Sequence, residues 1–261
     1  MTKTLRGIGV LITHHAAQSG HLSALIDERG GTALSLAAIA IEPVPLSDGT
    51  SKLLADACRF EIVVFISRNA VIHAVQNMPD INQAAPLIAV VGPGTAAELE
   101  QAGFAVDIGP GQTADSEGLL AEPALQAVGG KRILIVRGRG GREHLASELR
   151  DRGAEVLYAE VYRRIRPDHS AALVDDITTA LREGRIRFTI VKSVATLENL
   201  LSYFPGSDQK HLLETELVSA SARVVKEAMN SGFSRSPVLA AGPLDGALVA
   251  AMENRLQTDG E

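Results

Sequence analysis

The hexapeptide RGRGGR, Arg137 to Arg142, sets three guanidinium groups among three glycines. Arginine grips a carboxylate or phosphate with a planar two-pronged fork, and glycine lets the backbone approach such a ligand closely. Arg137, Gly138 and Arg142 are therefore candidate anion-binding residues. Residues 131–166 hold ten Lys/Arg against five Asp/Glu, a local charge of +5, in a chain of formal net charge −6. The remainder thus carries −11. An acidic chain with one basic block suits an anionic ligand, although arginines on a solvated face leave the same trace.

Further candidates sit where the pattern starts helices after strands: Ser67-Arg68-Asn69, Gly92-Pro93-Gly94-Thr95, Ser116-Glu117-Gly118, Ser193 and Ser221-Ala222-Arg223. Free backbone N–H groups and the helix dipole favour an anion at such places. In VVGPGTAAELEQAGF (90–104), Gly92, Gly94 and Ala97 match the G-x-G-x-x-A spacing of a dinucleotide turn. The acid that should hold a ribose is missing: Asp107 lies within the next apolar run, and positions 110–112 are Pro, Gly and Gln. No P-loop lysine is present. Thr95-x-x-Glu98 reads equally as a capping box. The turn is thus a cap alone, a cap with an anion contact, or, least consistently, a nucleotide seat. Tyr162 follows another apolar run, beside Arg163 and Arg164. It suits either a proton or hydrogen-bond donor or a packed ring.

Covalent and metal chemistry find little support. His14 and His15 would point to opposite faces of a strand, Cys58 has no nearby histidine in sequence, and no G-x-S-x-G elbow occurs. With 3% aromatic residues and no Trp, stacking platforms for nucleic acid are not expected. A single cysteine fits a reducing compartment, and no apolar run approaches a membrane span. A soluble cytoplasmic protein is expected.

Ten short β-branched runs, at 9–14, 32–37, 61–67, 87–91, 105–109, 132–138, 155–162, 188–193, 216–221 and 237–242, alternate with helical patterns. SALIDERGG, GTAAELEQAG, EHLASELRDRG and ARVVKEAMNSG each end near glycine, a common left-handed stop. This alternation predicts an α/β fold with parallel sheets covered by helices. Ten strands favour two sheets over one. Proline-bearing breaks at 41–50 and 163–170 give two domains: a discontinuous one of residues 1–40 plus 168–261, and an inserted one of 41–167. Each has about five strands, with two connecting strands between them.

Several stretches, in this order, resemble the uroporphyrinogen-III synthase family: VLITHHAAQSGHLSALIDERGG, IAIEP, VVFISRNAV, AVVGPGTAAELEQAGF, DSEGLL, KRILIVRGRGGREHLASELRDRGAEVLYAEVYRR and AAGPLDGALVAAM. The resemblance implies two α/β domains on a two-stranded connector, with an active cleft between them. It implies a lyase of tetrapyrrole and heme biosynthesis that dehydrates and cyclises hydroxymethylbilane to uroporphyrinogen III, inverting ring D through a spirocyclic intermediate. No cofactor or metal is implied, and the substrate carries eight carboxylates. By position, Tyr162 matches a tyrosine that helps the hydroxyl leave as water. Thr95 matches the threonine of a G-x-x-T helix start, Ser67 the serine of an F-T-S turn, and Ser193 its counterpart in the other domain. Several positions depart from the family: FIS replaces F-T-S, His14 stands where many members have Arg, VKS replaces a T-S-P-like turn, and SASAR replaces a second glycine–threonine turn, where Arg223 is the remaining candidate. A monomer is expected by analogy, with transient contact to the preceding pathway enzyme compatible with the family. The alternative is a non-catalytic two-domain binder of a small anion.

Overall fold

The computed structural model describes residues 4–14, 16–79, 86–111 and 113–258. His15 and Gln112, named above, lie outside them. The strands are β1 (Gly9–Ile12), β2 (Thr32–Ser35), β3 (Ala40–Pro43), β4 (Ile62–Phe65), β5 (Leu87–Val90), β6 (Arg132–Gly138), β7 (Glu155–Ile165), β8 (Ile186–Ile190), β9 (Glu216–Ser219) and β10 (Val238–Leu239). The helices are α1 (Ala16–Glu28), α2 (Asp48–Ala55), α3 (Arg68–Ala74), α4 (Pro93–Gln101), α5 (Ser116–Leu120), α6 (Pro123–Gln126), α7 (His144–Asp151), α8 (Ala171–Arg182), α9 (Val194–Tyr203), α10 (Ser207–Leu213), α11 (Ala222–Asn230) and α12 (Asp245–Thr258). The chain divides into two compact units, Met1–Ala40 with Ile165–Glu261, and Ile41–Arg164.

The first unit carries a sheet of order β10-β9-β8-β1-β2, with parallel pairing along it. Alternate side chains face opposite ways along each strand. Leu11 and Leu217 pack towards α8, α9 and α11, whereas Val10, Ile12, Phe188, Ile190 and Val218 pack towards α1 and α12. Strands apolar on both faces need helices on both faces, and this unit supplies them. One charge is buried with this core. Glu216, at the amino end of β9, has a side chain only 1% exposed and is held by Arg187 at 2.9 Å, Arg255 at 3.3 Å and Arg235 at 3.7 Å.

The second unit has the order β3-β7-β6-β4-β5. Val63, Phe65, Leu134 and Val136 face α3 and α4; Ile62, Val64, Ile133 and Ile135 face α5, α6 and α7. The chain winds outward from β4 to β5 and then returns to the other side of β4 as β6. The carboxyl ends of β4 and β6 therefore form a topological switch point, where open parallel sheets leave room for a ligand.

Two strand expectations are corrected. Residues 105–109 form no strand; Ile108 makes an isolated bridge to Ala89, and the Asp107 carboxylate accepts the Ile88 N–H at 2.8 Å. A side-chain oxygen thus takes a donor that a longer ladder would use. The fifth strand is instead β3, inside the expected 41–50 break. Glu42 pairs with Arg163 while the Val44 N–H donates to the Val161 carbonyl, so β3 runs antiparallel to β7 on the sheet edge. Pro43 and Pro45 hid it, yet proline is tolerated at an edge. The second break is shorter than expected too, because β7 continues to Ile165. Helix ends follow the glycines: Gly103 and Gly153, at φ +85° and +86°, close α4 and α7 in a conformation that favours glycine. Among the described residues no helix is long and apolar enough to cross a membrane.

Replacing Glu216 by Ala removes the carboxylate from among three arginines. The expected loss is about 3 kcal/mol, the low end for breaking a buried pair because the arginines reach water. Chemical denaturation checks this; a loss below about 1 kcal/mol would mean that the ion cluster contributes no more than a surface pair.

Candidate active site at the carboxyl end of the second sheet

β6 and β7 pair in register from Arg132 opposite Glu155 to Arg137 opposite Glu160, then slip, so that Gly138 lies opposite Tyr162. One extra residue on β7 makes a bulge, which re-aims the side chains beyond it. Before the slip, Ala159 faces the α3 side and Tyr158 the α5–α7 side. After it, Val161 and Tyr162 both pack on the α3 side. Regular alternation would have put Tyr162 on the same side as Tyr158. Its ring lies over Gly138, where an added Cβ would come within 2.4 Å of the ring. The residue is 1% exposed, and its hydroxyl lies 3.0 Å from Ser67 Oγ, 95 residues away in sequence. Ser67 is the N-cap of α3 and accepts the Ala70 N–H at 3.2 Å. His73, near the carboxyl end of α3, has its ring centroid 6.2 Å from that of Tyr162, and burial lowers its pKa. Tyr162 and Ser67, named separately from sequence, thus form one pair.

On the other face, at the switch point, lies a cavity of about 370 Å³. Ile66, Val91 and Ile135 form its apolar wall, and Ser116, Arg137, Arg142, Tyr158 and Arg164 supply polar groups. Arg137 is not an open fork. Its side chain is 3% exposed, lies 4.5 Å over the Tyr158 ring, and donates from Nη1 to Glu143 Oε1 at 2.8 Å. Nε donates to the Gly138 carbonyl at 3.3 Å. Gly141 abuts this guanidinium so closely that a Cβ there would lie 2.8 Å from Nη2. Tyr158 donates its hydroxyl to the other Glu143 oxygen, Oε2. The Tyr158 and Arg137 hydrogen bonds hold the Glu143 pKa below the usual range, while burial and Glu143 raise that of Tyr158. Arg139, the middle arginine of the motif, leans on Glu160 at 3.7 Å.

Across the cavity, Asp115 rather than Ser116 is the N-cap of α5, accepting the Gly118 N–H at 2.8 Å. That bond and one from Thr113 lower the Asp115 pKa. Gly118 packs against the Thr113 backbone too tightly for any side chain, with Cβ contacts of 2.0 Å. Ser116 and the exposed Arg142 both line the cavity, and the Arg142 charge also helps to lower the Asp115 pKa.

The remaining candidates are not among the residues that line that cavity. Thr95 is not a cap: α4 begins at Pro93 with Gly92 as N-cap, and Thr95 is buried within the first turn. Its N–H and that of Ala96 both donate to the Gly92 carbonyl, and Pro93 has none. The turn keeps Gly94 as its main outward donor, beside Arg68, whose guanidinium binds Glu98 at 3.0 Å. Asn69 occupies the first turn of α3. In the first unit, Ser193 is the N-cap of α9 and accepts the Thr196 N–H at 3.1 Å. Arg223 is exposed in the first turn of α11, after the N-cap Ser221. Among the described residues no cluster of three or more His, Cys, Asp or Glu could hold a metal.

The fold and cavity together define a two-unit α/β protein with an arginine-bearing pocket at a strand-end switch point. The profile of HEM4, uroporphyrinogen-III synthase HemD, matches residues 20–249. The chain belongs to this family. It is 38% identical over 121 residues to uroporphyrinogen-III synthase of Escherichia coli K12, a match covering 45% of this chain and 47% of that protein. The chain thus spans about half the length of that relative. A Methanothermobacter thermautotrophicus protein provisionally named for the same synthase is 30% identical over 211 residues, 78% of this chain and 80% of that one. The fold matches uroporphyrinogen III synthase from the extremely thermophilic bacterium Thermus thermophilus, in a mutant form, with a TM-score of 0.64 at 18% identity, covering 96% of this chain and 99% of that one. The enzyme from Helicobacter pylori 26695 also gives 0.64, at 14% identity and 95% and 99% coverage.

Gly138→Ala drives a methyl group into the Tyr162 ring. Overpacking should cost about 1–3 kcal/mol of stability. Denaturation midpoints measure it; an unchanged midpoint would show that the ring does not need this glycine.

Proposed function

We propose that the chain is a uroporphyrinogen-III synthase, a lyase that removes water from hydroxymethylbilane and closes it to uroporphyrinogen III with ring D inverted. The observation that carries this reading is the cavity at the β4/β6 switch point, bearing Arg137, Arg142, Arg164 and Ser116, in a chain of that family. The substrate's eight carboxylates need such groups. Holding a flexible chain by its acidic arms supplies the ordering that ring closure requires.

In the chemical step the hydroxymethyl C–O bond breaks, the departing oxygen gains a proton and leaves as water, and an azafulvene cation remains. Ring D adds to that cation to give a spirocyclic pyrrolenine, and bond cleavage and re-formation invert the ring. Loss of a proton from the newly bonded ring-D carbon restores the aromatic pyrrole, balancing the proton taken by the departing water. The sequence is neither a redox reaction nor a transfer to a second molecule, so the proposal needs no cofactor. Tyr162 is the proposed donor to the leaving oxygen, with Ser67 fixing its hydroxyl. Ser193, Arg223, Gly94, Arg68 and Asn69 remain proposed substrate contacts, through helix-start N–H groups or side chains, and Thr95 is proposed to serve by closing the turn that presents Gly94. A monomer in the cytoplasm, meeting transiently the enzyme that supplies hydroxymethylbilane, completes the proposal.

The test is product identity. Purified protein given enzymatically generated hydroxymethylbilane should yield the type III isomer after oxidation and separation. Accumulation of type I alone, the spontaneous product, would contradict the reading.

A further inference from the structure

Arg137 and Tyr158 form a pincer that closes on the two oxygens of one carboxylate, and in this structure the carboxylate is the chain's own Glu143. The two halves of that contact differ. Arg137 is almost wholly buried, stacked on Tyr158, bonded to the Gly138 carbonyl, pressed against Gly141 and, at the longer distance of 4.0 Å, faced by Glu160. The Glu143 side chain is 64% exposed, precedes α7, and makes no capping bond. The cation is buried and held on several sides, whereas the acid is exposed and held only by the two donors of the pincer. Both pincer residues also line the 370 Å³ cavity beside Ser116, Arg142 and Arg164.

We propose that Glu143 is a resident stand-in for a ligand carboxylate, holding Arg137 and Tyr158 when the pocket is empty and yielding both when an acidic arm enters. A buried guanidinium is costly without a close counter-ion, and Glu160 at 4.0 Å is only a distant one, so the Glu143 carboxylate at 2.8 Å keeps the empty site assembled. Exchange of one carboxylate for another at the same two donors is then nearly balanced. Net affinity comes from the exposed arginines, Arg142 and Arg164, and Glu143 tunes it downward so that the ligand can leave. The inference rests on the proposed function for the ligand's identity, a pyrrole acetate or propionate, though not for its carboxylate chemistry.

The test uses the full chain and mellitate (benzene hexacarboxylate), a simple polycarboxylate, in calorimetric titrations at fixed ionic strength. Glu143→Ala should bind mellitate roughly tenfold more tightly than the parent, a change of about 1.4 kcal/mol. Glu143→Gln, which keeps the shape and loses the charge, should shift the same way by less. Adding Arg137→Met to Glu143→Ala should erase the gain. Equal or weaker binding in both single variants, a gain that survives Arg137→Met, or failure of both single variants to fold would overturn the proposal. In the last case Glu143 would be a structural counter-ion. Because mellitate binding needs no turnover, a parent protein yielding only the type I isomer while the variants bind more tightly would refute the function alone.

Discussion

The slip between β6 and β7 sets the geometry of the whole strand end. A parallel ladder in strict register would send Tyr158, Glu160 and Tyr162 to one side of the sheet. The bulge after Glu160 instead turns Tyr162 to the other side, and the missing Cβ of Gly138 leaves room for its ring. The consequence is a division of labour across one strand end. Arg137 and Tyr158 stay with the cavity on the α5–α7 side, while Tyr162 reaches Ser67 at the start of α3. Arg164 links the two sides, lining the cavity while its guanidinium stands 6.0 Å from the Tyr162 ring.

Electrostatics sharpens this arrangement. The basic block at 131–166 is less free than its charge suggests, because much of it is already neutralised. Arg137 meets Glu143, Arg139 meets Glu160, and Arg163 meets Glu42. Arg142 and Arg164 are both exposed and both on the cavity; neither forms an ion pair within 4 Å among the described residues, although the Arg142 charge helps to lower the pKa of Asp115 beside it. In the proposed exchange an arriving polycarboxylate would meet these two exposed guanidinium groups first and the buried one afterwards. Local hydrogen bonds keep Asp115 and Glu143 ionised to lower pH than isolated carboxylates. Depressed carboxylate pKa values contribute stability that is present above the usual carboxylate range and lost as pH falls through the folded-state value.

Much of the architecture was legible because it rests on local patterns. Strand–helix alternation and glycine stops pointed to the α/β class, and RGRGGR and DSEGLL marked two walls of the cavity. What escaped was tertiary in origin. β3 is an edge strand whose prolines look like a break until β7 lies beside it, and 105–109 has strand composition but surrenders its pairing to Asp107. The Thr95 capping box failed because Pro93 starts the helix two residues earlier. Tyr158 and Glu143 were missed as site residues although both stand beside recognised motifs. Glu143 directly follows RGRGGR, and an acid there is the natural partner for a buried arginine. Nothing in the residue order announces the bulge that separates Tyr158 from Tyr162.

In the proposed mechanism Tyr162 and Ser67 act as one catalytic unit, the serine holding the hydroxyl that assists the departure of water. A double-mutant cycle on the rate of uroporphyrinogen III formation decides whether they do. Tyr162→Phe should slow turnover by about 10–100-fold, and adding Ser67→Ala to it should slow the reaction little further, because the partner is already gone. Independent, multiplying losses, or a Tyr162→Phe variant as fast as the parent, would contradict a shared role.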